Sequence, residues 1–234
     1  MPLDRDDPAY KGQRDFTPLA LRFYDPFVLQ FSASWVWHCP LERLLEHYRW
    51  HIRPNHLDVG PGTGYFLEHA GLPEGSEVTI LDPNLNVLHR AAERLGTLDV
   101  TAVEADALKP LPVSGPFASV GMNLVLHCLP GPTVRKSAAI RNVAKVLGPD
   151  GLFFGSTVLG DSGNHSWAAR RMLALYNGRG SFDNRLDTAE SVREILDASF
   201  EHVEFDVVGS VAIFFAMGPR GPASSAGPAQ AEGA

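Results

Sequence analysis

From residue 55 onward the chain alternates short β-branched runs with stretches whose apolar residues recur every three or four positions. Residues 55–60 (NHLDVG) read as a short buried strand entering a glycine loop, and a helix through about Ala70 follows, closed by Gly71. EVTILD at 77–82 predicts a second strand; Leu85, Leu88, Ala92 and Leu95 then recur at helical spacing until Gly96. DVTAVEAD at 99–106 reads as a third strand and FASVGMNLVL at 117–126 as a fourth. The segment from Thr133 predicts an amphipathic helix with Val134, Ala138, Val143 and Val146 on or near one face, stopped at Gly148-Pro149. A fifth strand at 152–158 precedes two helical stretches, 164–177 and 188–199, with Asn164 and Thr188 as the expected N-caps. The last pattern, 202–217, is two strands joined by Gly209-Ser210, a hairpin turn signal.

Strands alternating with helices imply an α/β fold, a mostly parallel sheet covered on both faces, with the hairpin adding one antiparallel strand. Ligands bind such sheets at the carboxyl ends of the strands, near the point where strand order reverses, and the glycine loop belongs there. Three regions are expected: an N-terminal helical segment over 1–50, a sheet domain over 51–217, and a disordered tail over 218–234, whose Gly, Pro, Ala and Ser cannot bury a core.

Composition narrows the partners more than the fold. With 234 residues the chain supports one good-sized core. No apolar run approaches the ~20 residues that cross a bilayer, and the polar N-terminus has no signal-peptide core, so a cytoplasmic protein is expected. A net charge of −7 argues against nucleic acid, whose phosphates demand a basic face, and Arg170 with Arg171 makes only a short basic patch. Cys39 and Cys128 lie far apart and in no ligand spacing, so neither a disulfide framework nor a metal site is indicated.

The candidate chemistry begins at HLDVGPGTGYF, residues 56–66. Gly60, Gly62 and Gly64 at alternate positions permit backbone angles, or a close approach, that a Cβ forbids. The helix expected after them would offer free N–H groups and the positive end of its dipole. Asp82 ends the second strand, where a carboxylate can accept both hydroxyls of a ribose. Asp106 follows the third strand on the same sheet edge, where it could meet an adenine amino group. Either acid alone would also serve as a helix cap; three features at successive strand ends favour a nucleoside site. A dinucleotide fingerprint would need glycine at 65, where this chain has Tyr65.

LDVGPGTGYF, TILDPN, EADAL, FASVGMNLVLHCLP and the helix ending in VLGPDGLFFGSTVLG, in that order, resemble the class I S-adenosylmethionine-dependent methyltransferases, in their small-molecule branch, over roughly residues 55–217. The resemblance implies a Rossmann-like seven-stranded sheet with its last strand antiparallel, S-adenosyl-L-methionine as cofactor and a small-molecule acceptor. It implies that Asp58 and the loop of Gly60, Pro61, Gly62 and Gly64 hold the methionine end, with Pro61 standing where many relatives have cysteine. Asp82 would take the ribose, with Pro83 and Asn84 beside it. Asp106 and Ala107 would face the adenine, and Asn123 and Leu124 would lie under the cofactor near its sulfonium.

A sulfonium-bound methyl is already activated, so the protein mainly has to align a nucleophile behind it. His127, after the fourth strand, is the candidate general base, because unperturbed histidine titrates near neutrality; its alternative is a structural histidine at a strand end. For the acceptor, the aromatic N-terminal segment contributes Tyr24, Trp35, Trp37 and His38 as possible lid or pocket walls, against a plain packing role. His165, Trp167 and Tyr176 would join them from the segment after the fifth strand, where relatives commonly build the pocket. The competing functions are a cofactor-binding protein without methyl transfer, a macromolecule methyltransferase and, more remotely, a nicotinamide-dependent reductase. The acceptor, its nucleophilic atom and the oligomeric state are not legible.

Overall fold

A computed structural model describes residues 25–96, 98–163 and 165–221. Seven strands form one sheet in the order β3-β2-β1-β4-β5-β7-β6. They are β1 (Asn55–Val59), β2 (Glu77–Asp82), β3 (Asp99–Glu104), β4 (Phe117–Asn123), β5 (Leu147–Val158), β6 (Phe200–Val208) and β7 (Val211–Pro219). β1 pairs parallel with β2 and β4, while β7 runs antiparallel to both β5 and β6. Strand order reverses between β1 and β4, so the loop leaving β1 opens into the crevice where such sheets take ligands.

Helices cover both faces. α1 (Leu41–His51), α2 (Tyr65–Glu68), α3 (Leu85–Arg94) and α5 (Trp167–Arg179) close one core; α4 (Thr133–Val146) and α6 (Ala189–Asp197) close the other. A π-helical stretch, Asp25–Val36, precedes α1. Leu44, Leu45 and Tyr48 of α1 are buried against the sheet, so this part of the N-terminal segment is a core helix. Among the described residues no helix is long and apolar enough to cross a membrane.

Several expected boundaries move for physical reasons. The helix after the glycine loop is a single turn, Tyr65–Glu68. β4 ends at Asn123 because Leu124 adopts a left-handed φ of 56°, after which Leu126–Cys128 make a 3₁₀ turn. The apolar face of α4 is centred on Ala139, Ile140 and Val143, and Val134 stands 73% exposed. β7 runs past 217 to Pro219, and Arg220 donates its backbone N–H to Ser199. Thr188 caps α6 as expected, in a capping box with Ser191. Ser166 caps α5, and Asn164 lies outside the described residues.

Candidate active site

The loop after β1 turns on left-handed glycines. Gly60 has φ 72°, and a Cβ there would stand 2.5 Å from Val125 Cγ2, so a side chain is excluded by space as well as by backbone angle. Gly62 has φ 57°, and nothing lies within 4 Å of where its Cβ would be. The backbone is therefore bare toward an open cleft. With only one helical turn behind it, the loop offers its own amides rather than a summed helix dipole.

This cleft, continuous with solvent, is lined on one side by Asp58, Gly60, Pro61 and Gly62. Asp82, Asn123 and Leu124 line it from the neighbouring strand ends, and Thr63, Tyr65, Phe66, Val87, Val125 and Cys128 complete it. No lysine or arginine is among the described residues of its wall. Gly64 sits behind the loop against Ala91. Pro83 and Asn84 follow Asp82, where Asn84 caps α3 through its side chain.

Both carboxylates are buried, Asp58 at 3% exposure and Asp82 at 6%. Asp58 Oδ2 accepts from Tyr48 Oη at 2.5 Å, and Asp82 Oδ1 accepts from the Asn84 amide at 2.7 Å. Burial pushes the Asp58 carboxyl up to about 7, against the opposing pull of the Tyr48 hydrogen bond. Burial likewise lifts Asp82 to about 7; the Asn84 amide lowers it and the charge of Asp58 raises it. Asn123 Oδ1 accepts from Ser156 Oγ at 3.0 Å, while its Nδ2, buried at the cleft, has no partner among the described residues. An orphaned amide donor of this kind costs free energy until a ligand supplies an acceptor.

Asp106 and Ala107 lie outside this wall. Asp106 is buried, accepts from the Leu108 amide at 2.9 Å and has Lys109 Nζ 3.7 Å away. The Ala107 carbonyl accepts from Asn142 Nδ2.

His127 is buried in the 3₁₀ turn. Its Nδ1 accepts from the Val158 amide at 3.2 Å, so the neutral ring carries its hydrogen on Nε2. Burial, aided by the charge of Lys136, lowers its pKa to about 3. The ring packs edge-on to Phe182 with centroids 4.2 Å apart. Tyr176 (4.8 Å) and Trp37 (6.2 Å) meet the same Phe182 ring. Three rings thus meet around Phe182, and His127 among them is the sequence neighbour of Cys128, which lines the cleft.

The remaining acceptor-side candidates are not brought together. Trp35 and Trp167 are each 72% exposed; Trp35, two positions from the buried Trp37, points the other way. His38 is exposed with a left-handed φ of 53°. His165 is pinned in its loop, with Nδ1 2.8 Å from Ser210 Oγ and Nε2 3.1 Å from the Gly160 carbonyl oxygen. Tyr24 lies outside the described residues.

Sequence reasoning passed over Tyr48, Phe182 and the buried pair Lys136–Asp187. A tyrosine on the buried leucine face of α1 signals a hidden partner for its hydroxyl. Lys136, within the apolar stripe of α4, signals a buried counter-charge, which Asp187 Oδ2 provides at 2.5 Å. Phe182 lies in a loop with no periodicity to mark it.

Residues 36–199 match the family model described as "Methyltransferase domain". An O-methyltransferase of the physcion biosynthesis cluster of Aspergillus chevalieri is 39% identical over 218 residues, covering 91% of this chain and 97% of its own. The N-methyltransferase vrtF of Penicillium aethiopicum is 38% identical over 189 residues, covering 79% and 78%. In structure, the N-methyltransferase NodS from Bradyrhizobium japonicum WM9, in complex with S-adenosyl-L-homocysteine, matches with a TM-score of 0.64 at 17% identity. That likeness covers 92% of this chain and all of NodS, and speaks for the fold.

Proposed function

Because the chain belongs to the class I S-adenosylmethionine-dependent methyltransferases, we propose that it methylates a compact, planar, largely apolar small molecule seated against the Phe182 cluster. One observation carries the reading: two buried carboxylates, Asp58 and Asp82, share a cleft that no described lysine or arginine lines. Such a site is short of positive charge, and a ligand with a sulfonium and an ammonium group would supply it. The bare backbone at Gly62 and the orphaned Asn123 amide fit the same ligand, one by leaving space and the other by lacking an acceptor.

S-Adenosylmethionine brings a methyl group already activated on sulfur; the chain has to bind and orient. Asp58 would take the cationic methionine end, Asp82 the ribose hydroxyls and the loop amides the carboxylate. Asp106, with Ala107, is assigned the adenine edge. On the acceptor side Trp37, Tyr176 and Phe182 would exclude water and hold a flat ring in line, where positioning alone lowers the barrier by several kcal/mol. His127 completes this wall as a neutral ring. With Nδ1 occupied and a pKa near 3, it is a poor proton acceptor, so the acceptor would bring its own lone pair as a phenolate or an amine. The O- and N-methyltransferases among the relatives are compatible with either nucleophile.

Calorimetric titration with S-adenosylhomocysteine, with NADH for comparison, tests the cleft. We expect micromolar binding of the first alone, weakened in Asp82→Ala by about 1–3 kcal/mol, as for charged hydrogen bonds to a ribose. Equal affinity in wild type and variant would remove Asp82 from the site. A mass-spectrometric screen of phenols, amines, RNA and protein then tests the acceptor. Binding without transfer to any of them would favour a non-methylating role.

A further inference from the structure

Behind Asp58 lies a chain of buried polar groups that the cleft itself does not reveal. Tyr48 Oη is 2.5 Å from Asp58 Oδ2 and 3.2 Å from His56 Nε2; His56 Nδ1 is 2.8 Å from Ser119 Oγ, which accepts from the Arg53 amide at 2.9 Å. The direction of the chain follows from donor arithmetic. Tyr48 has one hydroxyl hydrogen and gives it to the carboxylate, so it accepts from His56 Nε2–H. Neutral His56 then has a bare Nδ1, which accepts from the Ser119 hydroxyl. Every donor points toward Asp58, an arrangement in which successive hydrogen bonds polarise one another. Gly121 makes room for it, since a Cβ there would press on the His56 ring at 3.2 Å.

We propose that Tyr48 is a positioning residue for the cofactor: at the head of a one-way hydrogen-bond relay from Arg53, it fixes the Asp58 carboxylate for a cationic ligand and ties α1 to the cleft. The inference rests on reading this cleft as the cofactor site. Four observations support it independently of residue type. Tyr48 and His56 are fully buried; Tyr48 stacks on Phe66, a cleft residue, at 5.5 Å; the tyrosine hydroxyl occupies one carboxylate oxygen; and Asp58 lines the cleft. The titratable groups around Asp58 are Tyr48 from α1, His56 from its own strand, Asp82 from β2, and Tyr65 and Cys128 in the cleft wall. None of these brings a standing positive charge, because burial lowers the His56 pKa to about 3. The Tyr48 bond is therefore the group that favours the ionised carboxylate.

The sign of the effect follows. Removing the hydroxyl raises the Asp58 pKa, so the carboxylate that binds a cation forms at higher pH. S-Adenosylhomocysteine affinity should be measured by calorimetry from about pH 6 to pH 8 in wild type, Tyr48→Phe, Ser119→Ala and Asp82→Ala. In Tyr48→Phe the affinity should fall about tenfold near neutrality, and the midpoint of its pH dependence should move upward. Ser119→Ala, which cuts the relay farther from Asp58, should move it the same way by less, and it carries the test if Tyr48→Phe does not fold. Unchanged affinity and midpoint in both folded variants, with binding weakened in Asp82→Ala, would overturn the relay and leave the cofactor site standing. No binding by wild type at any pH would instead overturn the cofactor reading.

Discussion

A histidine next in sequence to a cleft residue invites the role of general base, and the hydrogen bonding and burial of His127 weigh against it. Its acceptor nitrogen is taken by a backbone amide, and its burial disfavours the charged ring. A wall residue and a base leave different kinetic traces. His127→Asn is expected to raise the acceptor KM by about tenfold, and to leave the pH of half-maximal kcat where the acceptor's own ionisation sets it. Loss of kcat together with loss of a neutral-range pKa would restore the base. Asp58 and Asp82 were legible as acids at the mouth of the cleft because their position is local, an acid at a strand end near the glycine loop. Tyr48 was not legible in this role, because its partner lies on a strand that α1 reaches by packing.

At the level of elements, the loop between α5 and α6 is set by a buried charge. Lys136 of α4 donates to Asp187 Oδ2 and to the Asp183 carbonyl, and Thr133 donates to Asp187 Oδ1. Phe182 stands immediately before Asp183, so the proposed acceptor wall depends on this anchor. Lys136→Met leaves Asp187 uncompensated and should cost about 3–5 kcal/mol of unfolding free energy, read by urea denaturation. The same variant should weaken acceptor use while S-adenosylhomocysteine affinity holds, since the cleft lies on other elements. Adding Asp187→Leu should recover much of the stability, because the uncompensated charge is gone. Periodicity placed α4 and the buried Val143 correctly but put the exposed Val134 on or near the apolar face, because a buried lysine and asparagine interrupt that face.

Across the whole molecule, buried ionisable groups set the response to acid. Burial holds His47 near 4 and His56 and His127 near 3, below the ordinary histidine value of 6.5, and lowers His51 as well. For each, the stability is present above the unfolded pKa and is lost as pH falls from about 6.5 toward the folded value. Asp58 and Asp82, raised to about 7, act in the opposite sense: their native state favours the proton, so stability is lost as pH rises from 3.8 to about 7. Four histidines against two carboxylates leave a net loss on acidification from about pH 6.5 to pH 4, which a melting temperature measured across that range would show. A flat or rising profile there would mean that the histidines are not neutral in the native state. Taken by itself, the sequence determined the alternation of strands and helices, the terminal hairpin and the acids flanking the glycine loop, because period, turn chemistry and strand-end position are all local. Only the tertiary structure decided which aromatics meet at Phe182, that His127 is buried, and that Tyr48 stands behind Asp58. Those outcomes depend on which elements pack together and on what burial does to a charge, and neither is written in the spacing of residues along the chain.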